Sequence, residues 1–153
     1  GGPATEARIG AASSLALSRD GFLYFSDRAN HVIRRIELTS NIITTVVGNG
    51  QAGYSPDGTP AEQAQIDSPY SIALAPGSSE LYFSDTGNNR VRRVNGEGRF
   101  ETLIGNGERG NAADDVQATS APFNEPHGIC FFDSHILLVS DFYNNQVKAV
   151  RVA

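Results

Sequence analysis

The stretch Gly58-Thr-Pro-Ala-Glu-Gln-Ala-Gln-Ile-Asp-Ser-Pro-Tyr-Ser-Ile-Ala-Leu74, continued by Leu81-Tyr-Phe-Ser-Asp-Thr-Gly-Asn-Asn-Arg-Val-Arg-Arg-Val94, decides the fold because the chain repeats it. Residues 1–17 precede the first part at an offset of 57, and residues 115–131 follow it at the same offset. Ala4, Ala61 and Ala118 align, as do Ile9, Ile66 and Phe123, and the pairs Leu15/Leu17, Ile72/Leu74 and Ile129/Phe131. A small-residue segment followed by alternating apolar positions predicts one helical turn leading into a strand.

Each copy then runs into an apolar stretch ending in Ser-Asp, at 22–27, 80–85 and 136–141, which reads as a second strand. Asn follows each Asp by three residues, giving the pairs Asp27/Asn30, Asp85/Asn88 and Asp141/Asn144, and a third β-prone run comes next, at 32–36, 90–94 and 146–150. A tight hairpin is predicted at each pair, since short Asp and Asn side chains bond nearby backbone and tolerate unusual dihedrals. Fourth strands are predicted at 42–47 and 99–104, each running into Gly-Asn-Gly; the third copy stops before reaching one. Short antiparallel strands in fours, joined by glycine-rich loops, are the pattern of a propeller blade. The fold expected is all-β: a partial β-propeller with blades at 1–57, 58–114 and 115–153, the third incomplete.

These residues resemble the NHL repeat almost throughout, including the loop Gly48-Asn-Gly-Gln-Ala-Gly-Tyr-Ser-Pro-Asp-Gly-Thr-Pro-Ala61. The resemblance implies blades around a central channel, first strands lining it and loops forming two broad faces. Ala12 stands where the other copies have Pro69 and Pro126, and Lys148-Ala149 replaces the paired arginines. Three blades do not close a ring, since propellers take about four to eight. The expectation is therefore a fragment that begins inside a long loop, or a chain whose second copy supplies the remaining blades.

Composition excludes several functions. A net charge of −5 gives no general attraction to nucleic acid or an anionic membrane. Cys130 is the only cysteine, so no intrachain disulfide or thiolate metal cluster is possible. Its alignment with Ala16 and Ala73 predicts a buried, space-filling thiol. No apolar run approaches the roughly 20 residues of a membrane helix, and the cellular location stays open, the extracytoplasmic one included.

The recurring Asp/Asn pairs are expected to be turn anchors, because a catalytic pair converges on one substrate whereas these occur in every copy. Gly-Asn-Gly lacks the lysine and following helix of a phosphate-binding loop. His127, at the start of a channel-lining strand, aligns with Tyr70 and Ser13, and these three form the expected contact set at the channel mouth. In amidating lyases that share the repeat, histidines at such positions hold zinc, so the resemblance leaves a metal-dependent hydrolase or lyase using His127 as the alternative function. One histidine falls short of the three protein ligands catalytic zinc usually takes, so no metal or cofactor is expected. Arg34/Arg35, Arg92/Arg93 and Lys148 form a basic row that leaves RNA binding as a second alternative. The leading expectation is a non-catalytic interaction scaffold, its loops at 51–65 and 108–124 presented to a protein, peptide or carbohydrate.

Overall fold

The computed structural model describes residues 1–152 as three antiparallel sheets that do not close into a ring. The first holds β1 (Gly2–Pro3), β2 (Ala12–Leu17), β3 (Phe22–Asp27), β4 (Val32–Glu37) and β5 (Ile42–Val47), in the order β1-β5-β4-β3-β2. The second holds β6 (Ile72–Leu74), β7 (Leu81–Asp85), β8 (Arg90–Val94) and β9 (Phe100–Ile104). The third holds β10 (Pro126–Phe131), β11 (Ile136–Asp141) and β12 (Gln146–Arg151). Ala4–Glu6, Ala61–Gln63 and Ala118–Ser120 each form the expected single helical turn, of 3₁₀ type.

One local feature differs from the sequence reading, and one is specified further. The first sheet has a fifth strand, β1, whose Gly2 and Pro3 lie opposite Ile43 and Ile42. Its counterpart in the second sheet is a single bridge, Pro60 to Arg99. In both, the chain before the 3₁₀ turn folds back along the outer strand of its own sheet, where a proline without an N–H is tolerated. The hairpins at the Asp/Asn pairs are 3₁₀ turns closed by a left-handed residue: His31 at φ 53°, Asn89 at 53° and Asn145 at 54°. Asn and His are among the few non-glycine residues that adopt this region readily.

Strand alternation gives the second sheet two buried faces. Phe83, Ile72 and Phe100 point toward the first sheet and meet Tyr24, Ile33 and Val47. Tyr82, Val91 and Ile104 point the other way, onto Ile129, Leu137 and Val139. Among the described residues, the outward faces of the first and third sheets have no such cover: Leu15 is 67% exposed where its repeat counterpart Ile72 is 4%, and Val147 is 72% exposed where Val91 is 0%. Cys130 lies on that open third face and is exposed, contrary to its expected burial. Its counterpart Ala73 is partly buried because the third sheet packs on it.

Polar joints repeat between sheets. Ser26 Oγ donates to the Tyr70 carbonyl at 2.9 Å, and Ser84 Oγ to the His127 carbonyl at 2.7 Å. The Ile72 and Ile129 amides donate to Ser14 and Ser71 Oγ, both at 3.2 Å. Where the outer strand leaves its sheet, Gly105 has φ 92°, and a β-carbon there would overlap the Asn89 carbonyl oxygen. Its N–H donates to Ala118 O at 2.9 Å, as that of Gly48 does to Ala61 O. Gly105→Ala is therefore expected to cost more than about 2 kcal/mol through strain and a shifted loop. A urea midpoint lowered at unchanged slope would register it.

Candidate functional site

The loops leading into β2, β6 and β10 and the turns after β3, β7 and β11 share one end of the sheets. The three aspartates, each 0% exposed, tie them together. Asp27 Oδ1 accepts the N–H groups of Gly10 and Ala11 at 3.0 Å, and Oδ2 accepts Asn30 Nδ2 at 2.8 Å. Asp85 Oδ1 accepts the Asp67 N–H at 2.8 Å and Asn88 Nδ2 at 2.9 Å. Asp141 accepts the Asn124 N–H at 2.8 Å and Asn144 Nδ2 at 2.7 Å. Asn88 and Asn144 also donate to the carbonyls of Gly53 and Gly110, each at 2.7 Å, which pins the long loops. Burial pushes the Asp85 carboxyl up to about 6, against the opposing pull of its Asp67 and Asn88 hydrogen bonds and of Arg92.

On this end lies a row of planar groups. The rings of Tyr70 and His127 stack with centroids 4.3 Å apart and planes 10° apart. His127 and Phe142 stack at 4.1 Å and 12°, and Tyr143 meets Phe142 edge-on at 5.1 Å. The Arg28 guanidinium lies 5.8 Å from the Tyr70 centroid, at the opposite end of the row. Desolvation holds the His127 imidazole below its ordinary pKa, so its neutral form is favoured. Phe142 and Tyr143 remain 50% and 58% exposed.

Of the three expected contact residues, Tyr70 and His127 meet directly. Ser13 is exposed and takes no part in the stack; its Oγ is 3.2 Å from Ser26 Oγ. Phe142 was missed by sequence reasoning. It follows the repeat Asp, at the position of Arg28 and Thr86, and a bulky ring where the second copy has threonine was the available signal.

The remaining histidines are elsewhere. His31 Nδ1 accepts the Ser68 N–H at 3.1 Å, taking the place of Asn89 Oδ1, which accepts the Glu125 N–H at 3.0 Å. His135 occupies the turn between β10 and β11, at the far end of the sheet. Among the described residues, no three His, Cys, Asp or Glu side chains gather as a metal would need. The basic row is mostly engaged in packing and pairing. Arg92 is 0% exposed, 3.0 Å from Asp57 and 3.6 Å from Asp85, with its guanidinium 4.4 Å from the Phe100 centroid. Arg93 bonds Glu101 at 2.7 Å, Arg34 reaches the Arg8 carbonyl at 3.3 Å, and Lys148 the Ala112 carbonyl at 2.6 Å. Among the described residues, no helix is long and apolar enough to cross a membrane.

Residues 123–149 match the NHL repeat family. The chain is 33% identical over 110 residues to Teneurin-1 of Mus musculus, covering 69% of itself and 4% of that protein. It is 26% identical over 149 residues to NHL repeat-containing protein 2 of Bos taurus, covering 90% of itself and 20% of that protein. It thus spans a small part of these curated relatives. In fold it is similar to an auxiliary nutrient binding protein from Bacteroides thetaiotaomicron, with a TM-score of 0.68 and 23% identity over 91% of this chain and 37% of that one. A putative gluconolactonase gives 0.62 and 18%, over 92% and 44%.

Proposed function

We propose that this chain, which is built of NHL-type β-propeller repeats, is a binding module that presents the end bearing Tyr70, His127 and Phe142 to a protein, peptide or carbohydrate partner. The observation that carries this reading is the stacked row itself: three planar side chains in register, ending in a half-exposed ring, at the end of the sheets where buried carboxylates fix the turns. Rings held this way present their edges and the exposed parts of Phe142 and Tyr143 at little entropic cost, the kind of surface on which sugars and aromatic side chains are captured. The fold neighbour described as a nutrient binding protein favours the same reading, while the one described as a putative gluconolactonase carries the enzymatic alternative.

The test is a titration of panels of oligosaccharides and unstructured peptides, followed by the fluorescence of the tyrosines, since tryptophan is absent. Saturable binding is expected, weakened at least about tenfold, or about 1.4 kcal/mol, in a His127→Ala/Phe142→Ala variant whose melting curve is near that of the parent. Binding that ignores the double substitution would move the site elsewhere. Turnover of a lactone by protein carrying stoichiometric metal would replace the module with the enzyme.

A further inference from the structure

A cleft of about 350 Å³ opens between the first and second sheets, at the end away from the aromatic row, where β8 turns toward β9. Its apolar walls are Tyr24 from β3, Val46 and Val47 from β5, Leu81 from β7 and Val94 from β8, and Arg35 of β4 stands among them. That volume falls in the range of small-molecule sites, about 300–1,000 Å³. Each of the two sheets carries its four repeat strands, so both walls are whole. In the joint between the second and third sheets, larger residues occupy the corresponding places. Phe131 stands there in place of Leu74, its ring edge-on to Tyr82 at 4.9 Å, and Val152, packed on that core, stands in place of Gly96.

The second sheet shows which chemistry suits the polar side of the cleft. Tyr82 and Arg93 lie directly opposite each other on β7 and β8, as Tyr24 and Arg35 do on β3 and β4. Arg93 Nε donates to Glu101 at 2.7 Å, its guanidinium lies 3.7 Å from Glu80, and the Tyr82 hydroxyl donates to Glu80 at 3.5 Å. In the first sheet the places of these two glutamates are taken by Thr44, opposite Arg35, and by Phe22. Among the described residues, no carboxylate pairs with Arg35, whose guanidinium rests 4.5 Å from the Phe22 centroid. A tyrosine hydroxyl and a guanidinium thus keep the register of a carboxylate receptor beside apolar walls, without the carboxylate. Glu80 also borders the cleft, but its carboxylate is engaged with Arg93 on the face of the second sheet that Tyr82 shares with the third.

We propose that this cleft binds a small monocarboxylate with an apolar body, of the class of medium-chain fatty acids. The ligand's carboxylate takes the place beside Arg35 that Glu101 holds beside Arg93, accepting from the guanidinium and from the Tyr24 hydroxyl. Its chain lies along Val46, Val47, Leu81 and Val94, where burial of apolar surface supplies the driving force. The contact to Arg35 is charge-assisted, and so stronger than one between neutral groups. It selects an acid over a neutral molecule of the same shape. The cleft shares no residue with the stacked row of Tyr70, His127 and Phe142, so either proposal stands or falls without the other.

The probe is octanoate, titrated at neutral pH into the isotope-labelled chain and followed by amide chemical shifts, with octanamide as the uncharged molecule of the same shape. Saturable shifts are expected at 46–47, 79–81 and 94–96, and octanamide is expected to bind about tenfold more weakly than octanoate. In Arg35→Leu, which keeps an apolar side chain over Phe22, the two ligands are expected to bind alike, octanoate having fallen to the level of octanamide. The comparison of the two ligands on the parent chain decides the matter even if that variant does not fold. The proposal is overturned if octanamide binds the parent as tightly as octanoate does, or if the preference for the acid persists in Arg35→Leu. It is equally overturned if the shifts gather around Tyr70 and Phe142 instead of the cleft.

Discussion

Asp85→Ala is expected to destabilise the chain by about 3–5 kcal/mol, because it removes one member of a buried ionic cluster and leaves the others in place. The carboxylate accepts from the Asp67 amide and from Asn88, and it is the fully buried anion beside Arg92, whose other partner, Asp57, is half-exposed. Without it, two donors lose their acceptor and a guanidinium at 0% exposure keeps only its rim contact. Asp85→Asn separates charge from shape. It retains an acceptor for the Asp67 amide but turns an NH₂ group toward Asn88 and Arg92, so a smaller loss is expected. It also removes a pH dependence. With the folded carboxyl near 6 and the unfolded one near 3.8, the folded chain binds more protons between these values, so the contribution of this group to stability falls as pH rises from about 4 to about 6. Urea denaturation of parent and Asn variant at pH 4, 5, 6 and 7 is expected to show that slope in the parent and its reduction in the variant. Parallel curves would mean that Asp85 keeps its charge across the range.

Phe83→Ala is expected to cost about 3–5 kcal/mol by a different route, through a cavity with no polar consequence. Phe83 is 0% exposed, its ring centroid lies 5.6 Å from that of Phe100, and it belongs to the core shared by the first and second sheets. Tyr82, the preceding residue, faces the third sheet. The loss should therefore fall on one joint and spare the other. Amide exchange is expected to accelerate in β3 and β4 well before it does in β10 and β11. Uniform acceleration over all three sheets would show instead that the sheets unfold as one cooperative unit.

The limits of β3, β5, β7 and β11 were legible to within a residue, because an apolar run bounded by glycine or by Ser-Asp has few other ways to fold and the chain writes it repeatedly. β1 was not. Two residues, one of them proline, carry no periodicity, and only the outer strand at Ile42 and Ile43 makes them a strand. Cys130 was misread for a related reason. Ala16 and Ala73 are small because a neighbouring sheet covers them, and the alignment transferred that burial to a face on which none packs. The site was half legible. Comparison of repeats drew attention to Tyr70, Ser13 and His127 as one column, yet the stack is completed by Phe142 from a second column, at a position where the copies share no chemistry. Repeats advertise the scaffold through what they hold in common, and the candidate site lies where they diverge.

The serine hydroxyls that donate to the carbonyls of Tyr70 and His127 bear on more than cohesion between sheets. Each one clamps the main chain directly beneath a stacked ring, so the rings are mounted on anchored supports, and this bears on the proposed binding role. Capture would then require little reorganisation, and encounter rates should change little among partners of similar charge. Discrimination would lie in how long each one stays, and loosening a clamp by Ser84→Ala should shorten residence without touching the contact surface.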